Sequence, residues 1–437
     1  MDKQLPFNKQ YVDEFANKFG LQNLGKATIR EIVGMVNQIQ EDSGVKFMRM
    51  EMGVPGLAPA EVGIQGEIDA LRRGVASDYP MVDGVKELKQ EASRFIKNFM
   101  NVDIKPEGCV PTVGSMQGGY ASFLMCNNLD PKKDTALFID PGFPVQKQQF
   151  RVLNQKYESF DVYNYRGNKL REKLESYLKN GNINSIIYSN PNNPTWICFT
   201  EEELQIIGEL ANKYDVIVIE DLAYFAMDFR MDLSKPGVPP YQPSVTKYTD
   251  NYILLISSSK AFSYAGQRLA ITAISDALFH KKYDLLKERF GAEEFGYTFV
   301  LRIIYSLSSG VSHSAQYALA AMFKAANEGK FNFVESVKEY GERAKIMKSL
   351  FLDAGFTIVY DKDVDKELAD GFYFTIAYPG MSGGELLKEL IRFGISAISL
   401  DNTGSDHTEG LRACVSQIGL DRMDELEERI AMFKKEN

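Results

Sequence analysis

Y-I-L-L-I-S-S-S-K-A-F-S-Y-A-G-Q-R-L-A, residues 252–270, opens on five apolar residues and turns polar at Ser257. The apolar run does not alternate, as a strand with one wet face would, so it reads as a strand covered on both faces. Three upstream runs have the same texture. Residues 134–140 (D-T-A-L-F-I-D) stop at Pro141-Gly142, 184–188 (N-S-I-I-Y) at Ser189-Asn190-Pro191, and 216–220 (V-I-V-I-E) at Asp221. Helical patterns lie between and before them. Residues 85–100 carry Val85, Leu88, Ala92, Phe95, Ile96 and Phe99 at spacings of mostly three or four, 168–179 precede the second run, and 200–214 open with the capping-box pattern Thr200-x-x-Glu203. Strands alternating with helices predict an α/β fold, a large domain with a mostly parallel central sheet covered by helices. After about residue 330 the texture changes to a long amphipathic helix (333–354), short strands near 357–360 and 371–377, and helices at 383–392 and 421–434. These predict a smaller α+β unit.

The rest of the composition bounds the function. The 437 residues leave room for two to four domains, or for one large α/β unit with an appendage. With 44% hydrophobic and 25% charged residues the chain is ordinary globular protein. Fifty Lys and Arg against 59 Asp and Glu give −9, a surface that disfavours a general nucleic-acid binder. No apolar run reaches the ~18 residues of a spanning helix, so no membrane partner is expected. The opening M-D-K-Q-L-P has no charged segment followed by an apolar one, so no signal peptide is read. Cys109, Cys126, Cys198 and Cys414 are scattered, which fits a reducing cytoplasm. With only His280, His313 and His407 available, neither a Cys–His nucleophile nor a metal site is expected.

Each buried run ends in a polar cluster, and in open parallel sheets ligands bind beyond the carboxyl ends of the strands. Residues 111–120 (P-T-V-G-S-M-Q-G-G-Y) put small residues at a helix start, where free N–H groups favour a phosphate; a plain strand–helix turn reads equally well. In S-N-P-N-N-P-T-W (189–196) two prolines stiffen a strand-end segment that holds Asn192 and Asn193, although Asn and Pro also make ordinary turns. Asp221, within E-D-L-A-Y (220–224), would be costly to bury without a cation, and a helix cap is the alternative. Lys260 lies beyond an apolar strand with Arg268 eight residues on. Partly buried near other cations, it would become a nucleophilic amine; exposed, it is a surface lysine.

Together the four clusters resemble the pyridoxal-phosphate aminotransferases of classes I and II, fold type I. The lysine cluster is similar to that family's motif in the serine three before the lysine, the small residue just before it and the arginine eight after; Ser258 and Tyr264 are less usual there. The second cluster resembles N-P-x-N-P-T-G and the third D-x-x-Y. S-D-Y-P-M-V-D-G (77–84) looks like the family's Y-P-x-x-x-G segment, and Leu411-Arg412 like its substrate-carboxylate arginine. The agreement runs from about Gly53 to Arg412 in the family's own order.

The resemblance implies transfer of an amino group between an amino acid and a 2-oxo acid, with pyridoxal 5′-phosphate as cofactor. Lys260 would form the Schiff base and shuttle the proton. Asp221 would pair with the pyridine nitrogen, and Asn193 and Tyr224 would bond the ring's phenolic oxygen. Ser257, Arg268 and the backbone at Gly114, Ser115 and Met116 would hold the phosphate. Phe143, in D-P-G-F-P, would lie against the ring, with a core role as the alternative. Arg412 would take the substrate carboxylate, and Gly53 would let backbone approach it. The family's tyrosine at the Tyr79 position reaches the neighbouring subunit's phosphate, which implies a homodimer with composite sites. The family layout also implies a split small domain, 1–60 with 331–437, around a large domain at 61–330.

Trp196 departs from the family's usual glycine and would either narrow the substrate pocket or turn into the core; the pocket is the expectation. Segment 276–313 carries Arg289, Arg302, Ser308, Ser309, Ser312 and His313 and leaves open a second carboxylate-binding arginine. D-N-T-G-S-D (401–406) reads as a mobile loop or a plain solvated one. The same cofactor also serves C–S β-lyases and decarboxylases, so β-elimination is the alternative reaction. A cofactor-binding regulator is a third reading, disfavoured because no basic DNA-binding segment precedes residue 50.

Overall fold

The computed structural model describes residues 5–437. The opening tetrapeptide, on which part of the signal-peptide reading rests, lies outside the described residues. The chain divides into two compact units: one holds the chain up to Gly56, Asn193–Ile197 and Lys338–Asn437; the other holds Leu57–Asn192 and Cys198–Val337.

The larger unit is built on seven strands: β1 (Cys109–Thr112), β2 (Thr135–Asp140), β3 (Lys156–Asp161), β4 (Ile183–Ser189), β5 (Ile217–Leu222), β6 (Tyr252–Ser257) and β7 (Ala270–Ile274). Their spatial order is β1-β7-β6-β5-β4-β2-β3. Strands β3, β2, β4, β5 and β6 pair in parallel, and β7 pairs antiparallel with both its neighbours. The four runs read as doubly covered strands are β2, β4, β5 and β6, and every residue in them is buried. Such non-alternating strands bury both faces only when helices cover both. Helix α1 (Gly114–Cys126) lies against the sheet, with Ala121, Phe123 and Met125 in one core with Phe138, Ile187, Ile219 and Leu255. Helix α2 (Pro144–Leu153) follows β2 directly, started by Pro144. Thr200 caps Glu201–Tyr214 with the full capping box. Strand β3 (K-Y-E-S-F-D) escapes the sequence reading because it is an edge strand with a half-wet face.

The other unit has a four-stranded antiparallel sheet, Ile398–Ser399, Leu411–Cys414, Tyr373–Ala377 and Thr357–Ile358 in that order, and a short parallel pair, Met48–Arg49 with Ile395–Ser396. Helices Ile29–Ser43 and Gly383–Arg392 both begin with capping boxes. The helix expected at 333–354 begins only at Glu339. Phe333 instead stacks on Phe262 at 5.0 Å within the larger unit's core, and a 3-10 turn, Glu335–Val337, separates the two. Loop 401–406 is tied down rather than free: Tyr360 Oη and Ser405 Oγ share a hydrogen bond, and Asn402 Nδ2 donates to the Ala27 carbonyl at 3.3 Å. No helix among the described residues is long and apolar enough to cross a membrane.

Candidate active site

In the larger unit the expected cofactor residues gather at the carboxyl end of the sheet. Asp221 stands near the end of β5, in register with Leu255 of β6 and Ser189 of β4. Its side chain is buried. Gln146 Nε2 donates to Oδ2 at 3.0 Å and the Ala223 backbone N–H to Oδ1 at 3.1 Å. Burial pushes its carboxyl up to about 6, against the pull of the Ala223 N–H, the Lys260 charge and the Gln146 amide. Neutral donors compensate a buried carboxylate poorly. The arrangement therefore fits a cationic ring nitrogen at Asp221.

Lys260 lies three residues beyond β6 and is half-buried. The loop that carries it is closed by Ser258. Its Oγ donates to the Leu269 carbonyl at 2.6 Å, and its carbonyl accepts from Tyr264 N–H at 3.1 Å. Tyr264 Oη donates to Glu67 Oε2 at 2.5 Å. The two unusual residues of the lysine cluster thus shape the lysine's loop. Behind it, Phe262 and Phe225, the neighbour of Tyr224, both pack on Phe95. Tyr224 is itself buried.

The phosphate end has a geometric signature. Gly114 opens α1 with φ +64°, and a Cβ there would fall 2.6 Å from Arg268 Nη2, so only glycine lets the guanidinium approach the helix start. No side chain caps this N-terminus, leaving its N–H groups for an anion. Arg268 is exposed and donates to the Ala265 carbonyl; among the described residues no carboxylate pairs with it. Ser257 is buried, its Oγ accepting from Ser259 N–H at 3.1 Å. Ser115 and Met116 follow Gly114 and are half-buried. Phe143 is also half-buried, on the residue before α2, and one turn later Gln146 reaches Asp221. Phe143 is therefore no core residue. Tyr79 does not join this group within the chain: it is 92% exposed, on a loop held by His313 against the Asp78 carbonyl.

In the other unit Arg412 is buried on Leu411–Cys414. Nη2 donates to the Glu51 carbonyl at 2.6 Å and Nη1 to Asn193 Oδ1 at 3.3 Å, while the guanidinium lies 4.6 Å from the Tyr373 ring centroid. Its Nε has no hydrogen-bond partner, and no carboxylate pairs with it among the described residues. A buried guanidinium without an anion is a receptor for one. Gly53 leaves room for Tyr373, whose hydroxyl would lie 2.2 Å from a Cβ at that position. The expectation that Trp196 narrows a pocket is corrected here. The indole has no exposed surface; it lies edge-on to Tyr373 and fills the space at Gly371, where a Cβ would come within 2.2 Å of it. Arg302 is held by the Phe290 carbonyl and the Tyr297 ring, and Arg289 by Asn128. Gln146, Glu51 and Tyr373 were not singled out by the sequence. Only Gln146 left a signal, one helical turn after Phe143.

Solved structures share this architecture. An aspartate aminotransferase from Thermus thermophilus with maleate superposes with a TM-score of 0.75 at 15% identity, over 93% of this chain and 96% of that one. An alanine aminotransferase from Pyrococcus furiosus does so at 0.75 and 18%, over 96% and 99%. The fold is that of the fold type I pyridoxal-phosphate enzymes. The sequence profile described as Aminotransferase class I and II matches residues 45–382, and the chain belongs to that family. It is 24% identical over 388 residues to a probable aspartate aminotransferase of Methanocaldococcus jannaschii, covering 85% of this chain and 93% of the relative. It is 23% identical over 405 residues to an LL-diaminopimelate aminotransferase of Halothermothrix orenii, covering 86% and 93%. This is a pyridoxal-phosphate-dependent transaminase, an enzyme that moves an amino group between an amino acid and a 2-oxo acid.

Proposed function

We propose that Lys260 is the Schiff-base lysine of this transaminase and that Asp221, Tyr224, Asn193, Ser257, Arg268, Phe143 and the 114–116 backbone hold its cofactor. The observation that carries the reading is the buried Asp221, hydrogen-bonded among the described residues only by the neutral Gln146 amide and Ala223 N–H and felt by the Lys260 charge, in a strand register next to the lysine strand. Pyridoxal phosphate supplies an electron-withdrawing ring that stabilises charge developing at the substrate Cα. Asp221 keeps the ring nitrogen protonated, and Tyr224 and Asn193 bond the phenolic oxygen. Arg268 and the α1 N–H groups neutralise the phosphate. Lys260 would move the proton from the substrate Cα to the cofactor's C4′, an amine's task for which its half-buried place just beyond β6 suits it. Arg412 binds the substrate carboxylate as a bidentate pair, and Gly53 admits backbone to it.

The working form is a homodimer with shared sites. Tyr79 and Met81 (73% exposed) support this, together with Tyr297, Leu301, Tyr305 and Leu307, which keep large apolar surfaces in water on the isolated chain. Cytoplasmic residence is consistent with four buried free cysteines.

The deciding experiment is the visible spectrum of purified protein with an amino-acid pool. The pool spans acidic, diamino and small neutral members, since the named relatives act on aspartate, diaminopimelate and alanine. Bleaching of the lysine-bound band, reversed by 2-oxo acids, is the expected result. A band that persists while pyruvate and ammonia accumulate overturns transamination in favour of β-elimination. A Lys260→Ala protein that keeps the band removes the lysine assignment.

A further inference from the structure

Next to Asp221 on β5 stands a second buried acid that the reaction does not use. Glu220 has no exposed surface. Its Oε2 accepts from Ser244 Oγ in a short hydrogen bond and from Val245 N–H at 3.3 Å. Its register neighbour on β4 is Tyr188, which is also buried. A carboxyl placed there is expensive, so what it holds is informative.

It holds the segment 242–245, whose other bonds reach the turns after β4 and β5 and the helix Lys86–Met100. Gln242 Oε1 accepts from Ala226 N–H at 2.9 Å, two residues after Tyr224. Gln242 N–H donates to the Phe99 carbonyl at 2.9 Å. The Pro243 carbonyl accepts from Asn190 Nδ2 at 3.2 Å, and the Asn190 N–H donates to the Asp221 carbonyl at 3.1 Å. Asn190 Oδ1 accepts from Phe199 N–H at 3.2 Å, closing the turn that carries Asn192. Glu220, Gln242, Ser244 and Asn190 are all buried. The network is therefore a buried polar bracket under the strand ends, with Glu220 as its anchor on the strand that bears Asp221.

We infer that Glu220 is a positioning residue of the ring site: by pinning segment 242–245 it holds the Tyr224 turn and the Asn190 turn in register with Asp221. The inference rests on the Lys260 reading above. A bracket of this kind acts on geometry and not on charge, so an acceptor oxygen at residue 220 is what the site requires.

The test uses the cofactor-loaded enzyme and two readouts other than turnover: the midpoint pH at which the visible lysine–cofactor band titrates, and the dissociation constant for pyridoxal phosphate. Glu220→Ala removes the acceptor of two donors; the expected result is a midpoint displaced by about half a pH unit or more and cofactor affinity about tenfold weaker. Glu220→Gln keeps an acceptor oxygen and is expected to stay within about twofold of wild type in affinity, with the midpoint restored. Ser244→Ala, which deletes one hydroxyl, should move both readouts in the same direction and carries the test should Glu220→Ala fail to fold. Variants that melt lower but keep the wild-type midpoint and affinity overturn the inference, because Glu220 then serves stability alone. Glu220→Gln behaving like Glu220→Ala also overturns it. A wild-type protein with no titrating band overturns the Lys260 assignment, and this inference with it.

Discussion

Replacing Gly114 with alanine tests the phosphate cradle quantitatively. Two effects separate by structure. The left-handed backbone at φ +64° costs a residue with Cβ about 1–2 kcal/mol, and this appears in the apo protein as lost stability. The new Cβ would also lie 2.6 Å from Arg268 Nη2, so the guanidinium must move away from the start of α1. Losing one charge-assisted bond to a phosphate costs about 1.5–3 kcal/mol, or roughly ten- to a hundredfold in cofactor affinity. Gly181 supplies the control: its φ is +75° with nothing within 4 Å of a Cβ, so Gly181→Ala should carry the backbone cost alone. Both apo variants are melted thermally and then titrated with pyridoxal phosphate by absorbance. The expectation is similar losses of stability and a selective loss of affinity in Gly114→Ala. Equal affinities in the two variants would refute the cradle.

Other expectations can be checked separately. Burial holds the Asp221 carboxyl at about 6 against an ordinary 3.8. The folded apo protein therefore keeps a proton that the unfolded chain has released, and its stability falls as pH rises through roughly 4 to 6; Asp221→Asn should flatten that slope in apo melts, and an unchanged slope would mean another group titrates there. Arg412→Ala should raise the substrate KM about ten- to a hundredfold with pyridoxal-phosphate affinity retained; an unchanged KM would assign the carboxylate to another residue. Tyr79→Phe should weaken cofactor binding only while the protein is dimeric, read by titration across a dilution series, and equal affinity at every concentration would argue against a shared site. Trp196→Phe should lower stability by about 1–3 kcal/mol through lost packing while leaving KM alone; a shifted KM with unchanged melting would return Trp196 to the pocket.

The parts of the fold written in continuous apolar runs were legible. Strands β2, β4, β5 and β6 follow from burial on both faces, and the Thr200 box marks its helix because reciprocal capping is a local contact. Strand β3 hid because an edge strand with a wet face lacks that texture. The break before Glu339 hid because Phe333 and Val337 keep the helical period while serving a different core. At the site, side chains on strand ends were readable as polar residues where none is expected. Partners placed by the folded backbone were not: the Glu51 carbonyl under Arg412 could be any residue's, and the Gln146 side-chain amide reaches Asp221 only through the α2 geometry one turn after Phe143. Trp196 was misjudged since its orientation depends on the space left at Gly371, which lies far along the chain.

That tryptophan has one more use. It is the chain's single indole, and it sits wholly inside the unit formed by both chain termini, on the five-residue stretch Asn193–Ile197. Its fluorescence is therefore a built-in reporter of that unit alone, with no label and no competing emitter of its kind. The bound cofactor absorbs at visible wavelengths and reports on its own surroundings. Recording both colours during one denaturant titration would show whether the molecule comes apart in one cooperative event or in two.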